Sequence, residues 1–227
     1  MSFRNSLIFL AIINILCFHF GGFRIGMISC FVTLYKILSY LGLTTTPQIF
    51  QNHFRPGVCY IKDFTGPYSS HGPKFGECAK LIKDNNLRDF SIIAFYYDDP
   101  LTVPKEKLRC SIGLYKKSFD KEANIPKEID ESLLKLGYRK HELEDAKAIY
   151  SSWDYSNFIS IIIGIKKFYS LVGKKFHDKN FLNAFKIKED QIKVSIEVYE
   201  EFYGNNTIYF YVPFENAERF LLYQKDQ

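Results

Sequence analysis

Glu197 and Tyr199 share one phase of an alternating run: Lys193, Ser195, Glu197 and Tyr199 interleave with Ile192, Val194, Ile196 and Val198. A period of two predicts a strand with one aliphatic and one polar face, because successive strand side chains point to opposite sides. The next run alternates in the same way, with Ile208, Phe210 and Val212 against Tyr209 and Tyr211. Helices are expected to cover the aliphatic face, which leaves the carboxylate beside tyrosines on the other. Aromatic faces attract cations, so Glu197, Tyr199, Tyr209 and Tyr211 are candidate contacts for a small amphipathic or cationic ligand. Burial of Glu197 would raise its pKa and fit it for general-base work, which makes a small-molecule hydrolase the alternative to a binding module.

No other constellation carries comparable chemistry. The five histidines, His19, His53, His71, His141 and His177, have neither metal-ligand spacing nor a nucleophile motif beside them. The glycine-rich stretch from Gly66 to Gly76 lacks the Gly-Lys-Ser/Thr ending of a phosphate cradle and fails the dinucleotide fingerprint, so ATP, GTP and NAD are disfavoured. No catalytic residue, metal or cofactor is assigned. The five cysteines are too scattered for a metal cluster or a disulfide framework and read as reduced thiols. Asn205-Asn206-Thr207 is a glycosylation sequon, usable only in a secretory lumen.

The elements around these residues fit one medium domain in a chain of 227 residues, 47% apolar and 24% charged. Three of the 30 basic residues, Arg4, Arg24 and Lys36, and none of the 25 acidic ones precede Gln48, leaving 27 against 25 beyond it and a formal charge of +5 for the whole chain. Near-balance in the main domain argues against direct nucleic-acid binding, which needs a concentrated basic surface. Residues 1–43 read as a membrane anchor: Leu7 to Phe23 is uncharged, and Ile25 to Leu43 is interrupted only by Lys36. Gly21-Gly22-Phe23-Arg24 would make a very short hairpin, so one crossing with an interfacial neighbour is the expectation. Charge placement favours a cytosolic main domain.

Residues 44–52 form a linker and 53–216 an α+β domain made of two similar halves, 53–117 and 137–213, with a short tail at 217–227. Each half reads strand, helix, strand, strand. The first runs from a strand around Val58 and Tyr60 through a helix carrying Phe75, Cys78 and Ile82 to Phe90–Tyr97 and Arg109–Tyr115. The second places a helix at about 157–175, with Phe158, Ile161, Ile165, Phe168 and Val172 on one side. Gly204-Asn205-Asn206 suits the turn between its last strands. Two such units share an antiparallel sheet with helices on one face, leaving the other concave and partly open.

Phe64-x-Gly66-Pro67-Tyr68, the run Ile93 to Pro100 with Asp98-Asp99-Pro100, Val103-Pro104 and Arg109-Cys110-Ser111-Ile112-Gly113 resemble the testis-expressed ER-phagy receptor family. With the amino-terminal anchor and Ile196-Glu197-Val198-Tyr199, the resemblance extends over about residues 5 to 215. It implies a single-pass endoplasmic reticulum (ER) membrane anchor. It also implies a cytosolic domain similar to bacterial gyrase-inhibitory (GyrI-like) and effector-binding domains, some of which bind lipophilic cations or hydrolyse electrophiles. By the same resemblance Glu197 and Tyr199 are ligand contacts, the function is that of an adaptor in selective autophagy of the ER (reticulophagy), and the partners include autophagy machinery besides the lipid bilayer. The family's acidic tail with its aromatic-x-x-aliphatic docking segment has no counterpart in residues 220–227. Phe158-Ile159-Ser160-Ile161 has the spacing but falls in a predicted helix.

Overall fold

The computed structural model describes residues 3–117, 125–188, 191–202 and 205–224. The chain divides into two units, residues 1–46 with 155–167, and residues 47–154 with 168–227.

In the first unit, α1 (Phe3–Tyr40) is long and apolar enough to cross a membrane. It is broken at Gly22, where φ 70° and ψ −179° lie in a region open essentially only to glycine. Asn14 Nδ2 donates to Thr33 Oγ1 at 2.9 Å. Nineteen residues of unbroken helix would hold these two about 28 Å apart, so the segment folds back on itself into two antiparallel arms. The two apolar stretches are thus the arms of one helical hairpin. The first residues of α4 (Phe158–Phe176) belong to the same unit. There Lys167 Nζ donates to the carbonyls of Gly42, Leu43 and Thr45 at 3.0, 2.9 and 2.5 Å, and Asn157 Nδ2 donates to Tyr40 O at 3.2 Å. Asn157 thereby satisfies a carbonyl that the end of α1 leaves unpaired, and Lys167 gathers three carbonyls of the turn that follows. Phe158, expected on the core side of this helix, is exposed instead, as are Ile159 and Ile162.

The second unit is built on one antiparallel sheet of eight strands. The first repeat is β2 (Gly57–Thr65), α2 (Gly72–Asp84), β3 (Phe90–Tyr96) and β4 (Arg109–Lys117). The second is β6 (Ala146–Tyr155), α4, β7 (Ser195–Phe202) and β8 (Asn205–Pro213). The α+β class and the duplicated strand-helix-strand-strand order are as the periodicities predict. The link 203–204, and with it Gly204 of the expected turn, lies outside the described residues. Three shorter elements, β1 (Phe50–Phe54), β5 (Arg139–Leu143) and α5 (Lys179–Phe185), join the two repeats, and the strand order across the sheet is β1-β6-β8-β7-β3-β4-β2-β5. Residues 50–52 of the expected linker already pair with β6.

Each face of the sheet has its own core. Val58, Tyr60, Ala94, Ile112 and Leu114 pack with Cys78 of α2 and Leu133 of α3 (Lys127–Lys135) on the helix face. Cys59, Ile61, Ile93, Phe95, Ile196 and Val198 pack on the other, together with Phe54 and Phe220. The second core exists because the sheet curls. Phe54 on β1 and Tyr115 on β4 are five strands apart, about 24 Å in a flat sheet, yet their rings lie 5.6 Å apart. The face expected to be an open groove is therefore filled, and Phe220 from the short helix Ala217–Phe220 packs edge-on against Phe54.

Candidate functional site

Glu197 occupies the middle of β7, paired with Ala94 on β3 and Phe210 on β8. It is 1% exposed. Neither sheet neighbour offers a polar side chain, so the carboxylate is served entirely by phenols. Tyr199, two residues along the same strand, donates to Oε2 at 2.5 Å, and Tyr96 of β3 donates to the same oxygen at 3.2 Å. Tyr169 of α4 donates to Oε1 at 3.0 Å. Among the described residues no lysine or arginine forms an ion pair with it.

An outer layer of rings holds these tyrosines. Phe75 of α2 meets Tyr199 edge-to-face at 5.1 Å, and Tyr68 meets Tyr96 in the same way at 4.9 Å. Phe168 stacks on Phe210 at 4.3 Å and turns its edge to Tyr169 at 5.2 Å. The result is an acidic group at the centre of an aromatic box whose walls come from both repeats. Burial raises the Glu197 pKa, and the three phenol hydrogen bonds oppose that rise without cancelling it. Burial likewise drives the Tyr96 and Tyr169 pKa values well up, and the neighbouring Glu197 adds to it, so both phenols stay neutral donors.

Tyr199 is thus brought to Glu197, whereas Tyr209 and Tyr211 are not. The cross-strand pairs Ile196 with Tyr211 and Val198 with Tyr209 put both tyrosines on the opposite face, among the second core. The assignment of Glu197 and Tyr199 to the face away from the helices is reversed for the same reason. Even-numbered residues of β7 lie opposite odd-numbered residues of β8, so the two aliphatic sets occupy different faces. Tyr96 and Tyr169 were not found from the sequence. Tyr96 carried a readable signal, the alternation Ile92, Ala94, Tyr96, whereas Tyr169 depends on how α4 rotates above the sheet.

The residues of the resemblance motif build the scaffold beside the box. Arg109 clasps Asp98 through Nε to Oδ2 at 2.9 Å and Nη2 to Oδ1 at 2.7 Å, and its backbone N–H donates to Oδ2 at 2.7 Å. Burial works against ionisation, yet these bonds from Arg109 hold the Asp98 carboxyl below its ordinary pKa. Tyr68, following Pro67, donates to the carbonyls of Asp98 and Arg109 at 2.9 and 3.1 Å, and Gly66 N–H donates to Leu108 O at 2.8 Å. Asp99 Oδ1 accepts from Leu101 N–H at 2.9 Å, closing the turn through Pro100. At Gly113 a methyl group would lie 1.8 Å from Tyr60 O, so only glycine lets β4 run this close to β2. Cys110 is buried, which pushes its thiol pKa up to about 12, and Cys78 likewise reaches about 11. Of the motif residues Tyr96 bonds Glu197 directly and Tyr68 supports it through their ring contact, whereas Asp98 and Arg109 bond each other instead.

A largely covered carboxylate lies on the opposite face. Asp63 pairs with Arg139. It also accepts from Ser111 Oγ at 2.5 Å and from Gln224 N–H at 2.8 Å. Arg139 also donates to Leu222 O at 3.2 Å, tying residues 222–224 across the sheet.

No family model and no curated protein matches the chain. Among solved structures, the EcmrR C-terminal domain is 12% identical over 74% of this chain and 98% of that one, with a TM-score of 0.40. SAV2435 bound to tetraphenylphosphonium is 10% identical over 75% and 96%, TM-score 0.43. A hydrolase encoded by lin2189 from Listeria innocua is 11% identical over 79% and 97%, TM-score 0.42.

Proposed function

We propose that the protein is a membrane-anchored, GyrI-like binding module whose Glu197 box holds a lipophilic or amphipathic cation. One observation carries the reading: a carboxylate withdrawn from water, bonded only to phenols and walled by seven rings, with no cation paired to it among the described residues. Burying a charge without a partner is costly, and a bound cation surrounded by aromatic faces removes that cost. The box is closed around Glu197, so binding parts the α2 side, with Phe75 and Tyr68, from Tyr169 on α4. The test is calorimetric titration of the full-length chain in detergent with tetraphenylphosphonium, beside the Glu197→Gln variant. Saturable binding that falls at least about tenfold in the variant is expected; equal binding by both chains contradicts the reading.

The apolar hairpin of α1 supports anchoring to a lipid bilayer, and the motif resemblance supports the finer placement. On that reading the membrane is that of the endoplasmic reticulum, the domain is cytosolic, and the module serves as an adaptor connected with selective autophagy of the ER. Helical backbone from Phe158 onward leaves Phe158–Ile161 unfit for strand addition, so autophagy partners would be recruited by other surfaces. Proximity labelling from the tagged full-length chain should enrich ubiquitin-like autophagy proteins over bulk ER proteins, and their absence would remove the adaptor role while leaving the binding module.

A second reading, hydrolysis with Glu197 as general base, is favoured by one feature: the raised proton affinity of a buried carboxyl. Turnover of activated electrophiles that disappears in Glu197→Gln would establish it.

A further inference from the structure

The geometry points to a hairpin that crosses the bilayer twice and returns the chain to its starting side, so that Arg4 and the folded domain face the same compartment. This rests on the anchored reading above and goes beyond it in assigning the path through the lipid.

Three observations within the first unit carry it. The fold-back is built in: Gly22 adopts a glycine-only conformation, and a methyl group on Gly26 would meet the Phe18 ring at 2.2 Å, so the arms touch where a small residue permits it. Small residues at the contact and a polar pair across it are how helices associate where water is absent. The Asn14 to Thr33 hydrogen bond is such a pair, about 12 Å from the turn along the first arm.

The arms also have the right length. Residues 3–21 and 23–40 span about 28 and 27 Å, close to the roughly 30 Å hydrocarbon thickness. Their outward faces are apolar and unburied, with Ile8, Phe9, Ile12 and Ile15 on one arm and Ile28 and Phe31 among those on the other.

Charge is confined to the two ends. Arg24 sits at the turn, Arg4 at the start of the first arm, and Lys36 about one turn from the end of the second, within snorkelling reach of the surface. A single crossing would leave one arm without lipid on its apolar sides, and a hairpin lying flat would separate neither Arg24 nor Lys36 from headgroups for a reason. Full insertion puts Arg24 in the far headgroups and the other two in the near ones. At the near end Asn157 holds Tyr40, and Phe158, Ile159 and Ile162 stand exposed on the same unit, suited to the headgroup boundary.

The test uses the full-length chain with an epitope tag ahead of Arg4 and another at the carboxyl end, inserted into sealed microsomes. Retention through alkaline carbonate extraction and loss of both tags to external protease are expected. In a Cys17→Ala, Cys30→Ala background, Arg24→Cys should react with a membrane-impermeant maleimide only after permeabilisation. Protection of the first tag while the second is digested would show a single crossing and overturn the hairpin path with anchoring intact. Labelling of Arg24→Cys without permeabilisation would overturn double crossing in favour of shallow insertion. Release by carbonate would instead defeat the anchored reading itself.

Discussion

Glu197 and Asp63 are both withdrawn from water on opposite faces of one sheet, and their partners could hardly differ more. Asp63 is neutralised by Arg139 and bonded further by Ser111 and the Gln224 N–H. Those groups arrive from three distant parts of the chain, so the carboxylate acts as a knot joining β2, β4, β5 and residues 222–224. Glu197 receives three phenol hydrogen bonds and no counter-charge among the described residues. The first arrangement is complete as it stands, because charge, hydrogen bonds and packing all close on themselves. The second is electrically unfinished, and that difference separates a structural carboxylate from one suited to receive a ligand.

The comparison predicts opposite responses to mutation. Asp63→Ala should have the largest effect, lowering stability by about 3 kcal/mol, since it leaves the largely covered Arg139 guanidinium unpaired and frees the terminal strap. Urea unfolding of the full-length chain in detergent would measure it, and a loss under about 1 kcal/mol would break the contrast.

Glu197→Gln should instead stabilise the protein at neutral to basic pH, by a few degrees in Tm. A carboxyl whose pKa is raised on folding supports the fold fully below its ordinary pKa. That support is lost as the pH rises through the raised value. The gain from the substitution should therefore shrink as the pH is lowered towards the ordinary carboxylate range, and thermal scans over a pH series read it directly.

Tyr169→Phe removes the only donor to Oε1 among the described residues and should cost about 1 kcal/mol at neutral pH while raising the Glu197 pKa further. Carboxyl-selective NMR titration would show that upward move. The smallest effect is expected at Arg109→Lys. Its bidentate clasp on Asp98 is lost, but the guanidinium is 48% exposed, so under about 1 kcal/mol should disappear in denaturant titration.

Much of this frame can be read from the residues alone. The alternation of β7 and β8 and the helical spacing of α2 are local properties, and so is the glutamate-x-tyrosine pair at Glu197 and Tyr199. Which face of the sheet those residues occupy is not local. It follows from a register in which Ile196 sits across from Tyr211, set by a hairpin whose link gives no unambiguous length. That one offset separates Tyr209 and Tyr211 from the site. The Asp63 knot escaped notice because Arg139 lies 76 residues away, with nothing in either local pattern to join them. At α1 the glycine pair was visible, but the energetic case against so short a turn lacked the Asn14 to Thr33 bond that rewards it. Curling of the sheet, which fills the expected groove with Phe54, Tyr115 and Phe220, depends on the order of all eight strands.

The central claim, that Glu197 is the anionic centre of a cation site, is tested most directly by counting protons. Titrating the full-length chain with the same lipophilic cation in buffers of different ionisation enthalpy, from about pH 5 to about pH 8, measures the protons released on binding. The account predicts release below the raised Glu197 pKa, fading as the pH passes it, and none from Glu197→Gln. Binding with no linked proton anywhere in that range, or the same release from the variant, would contradict it.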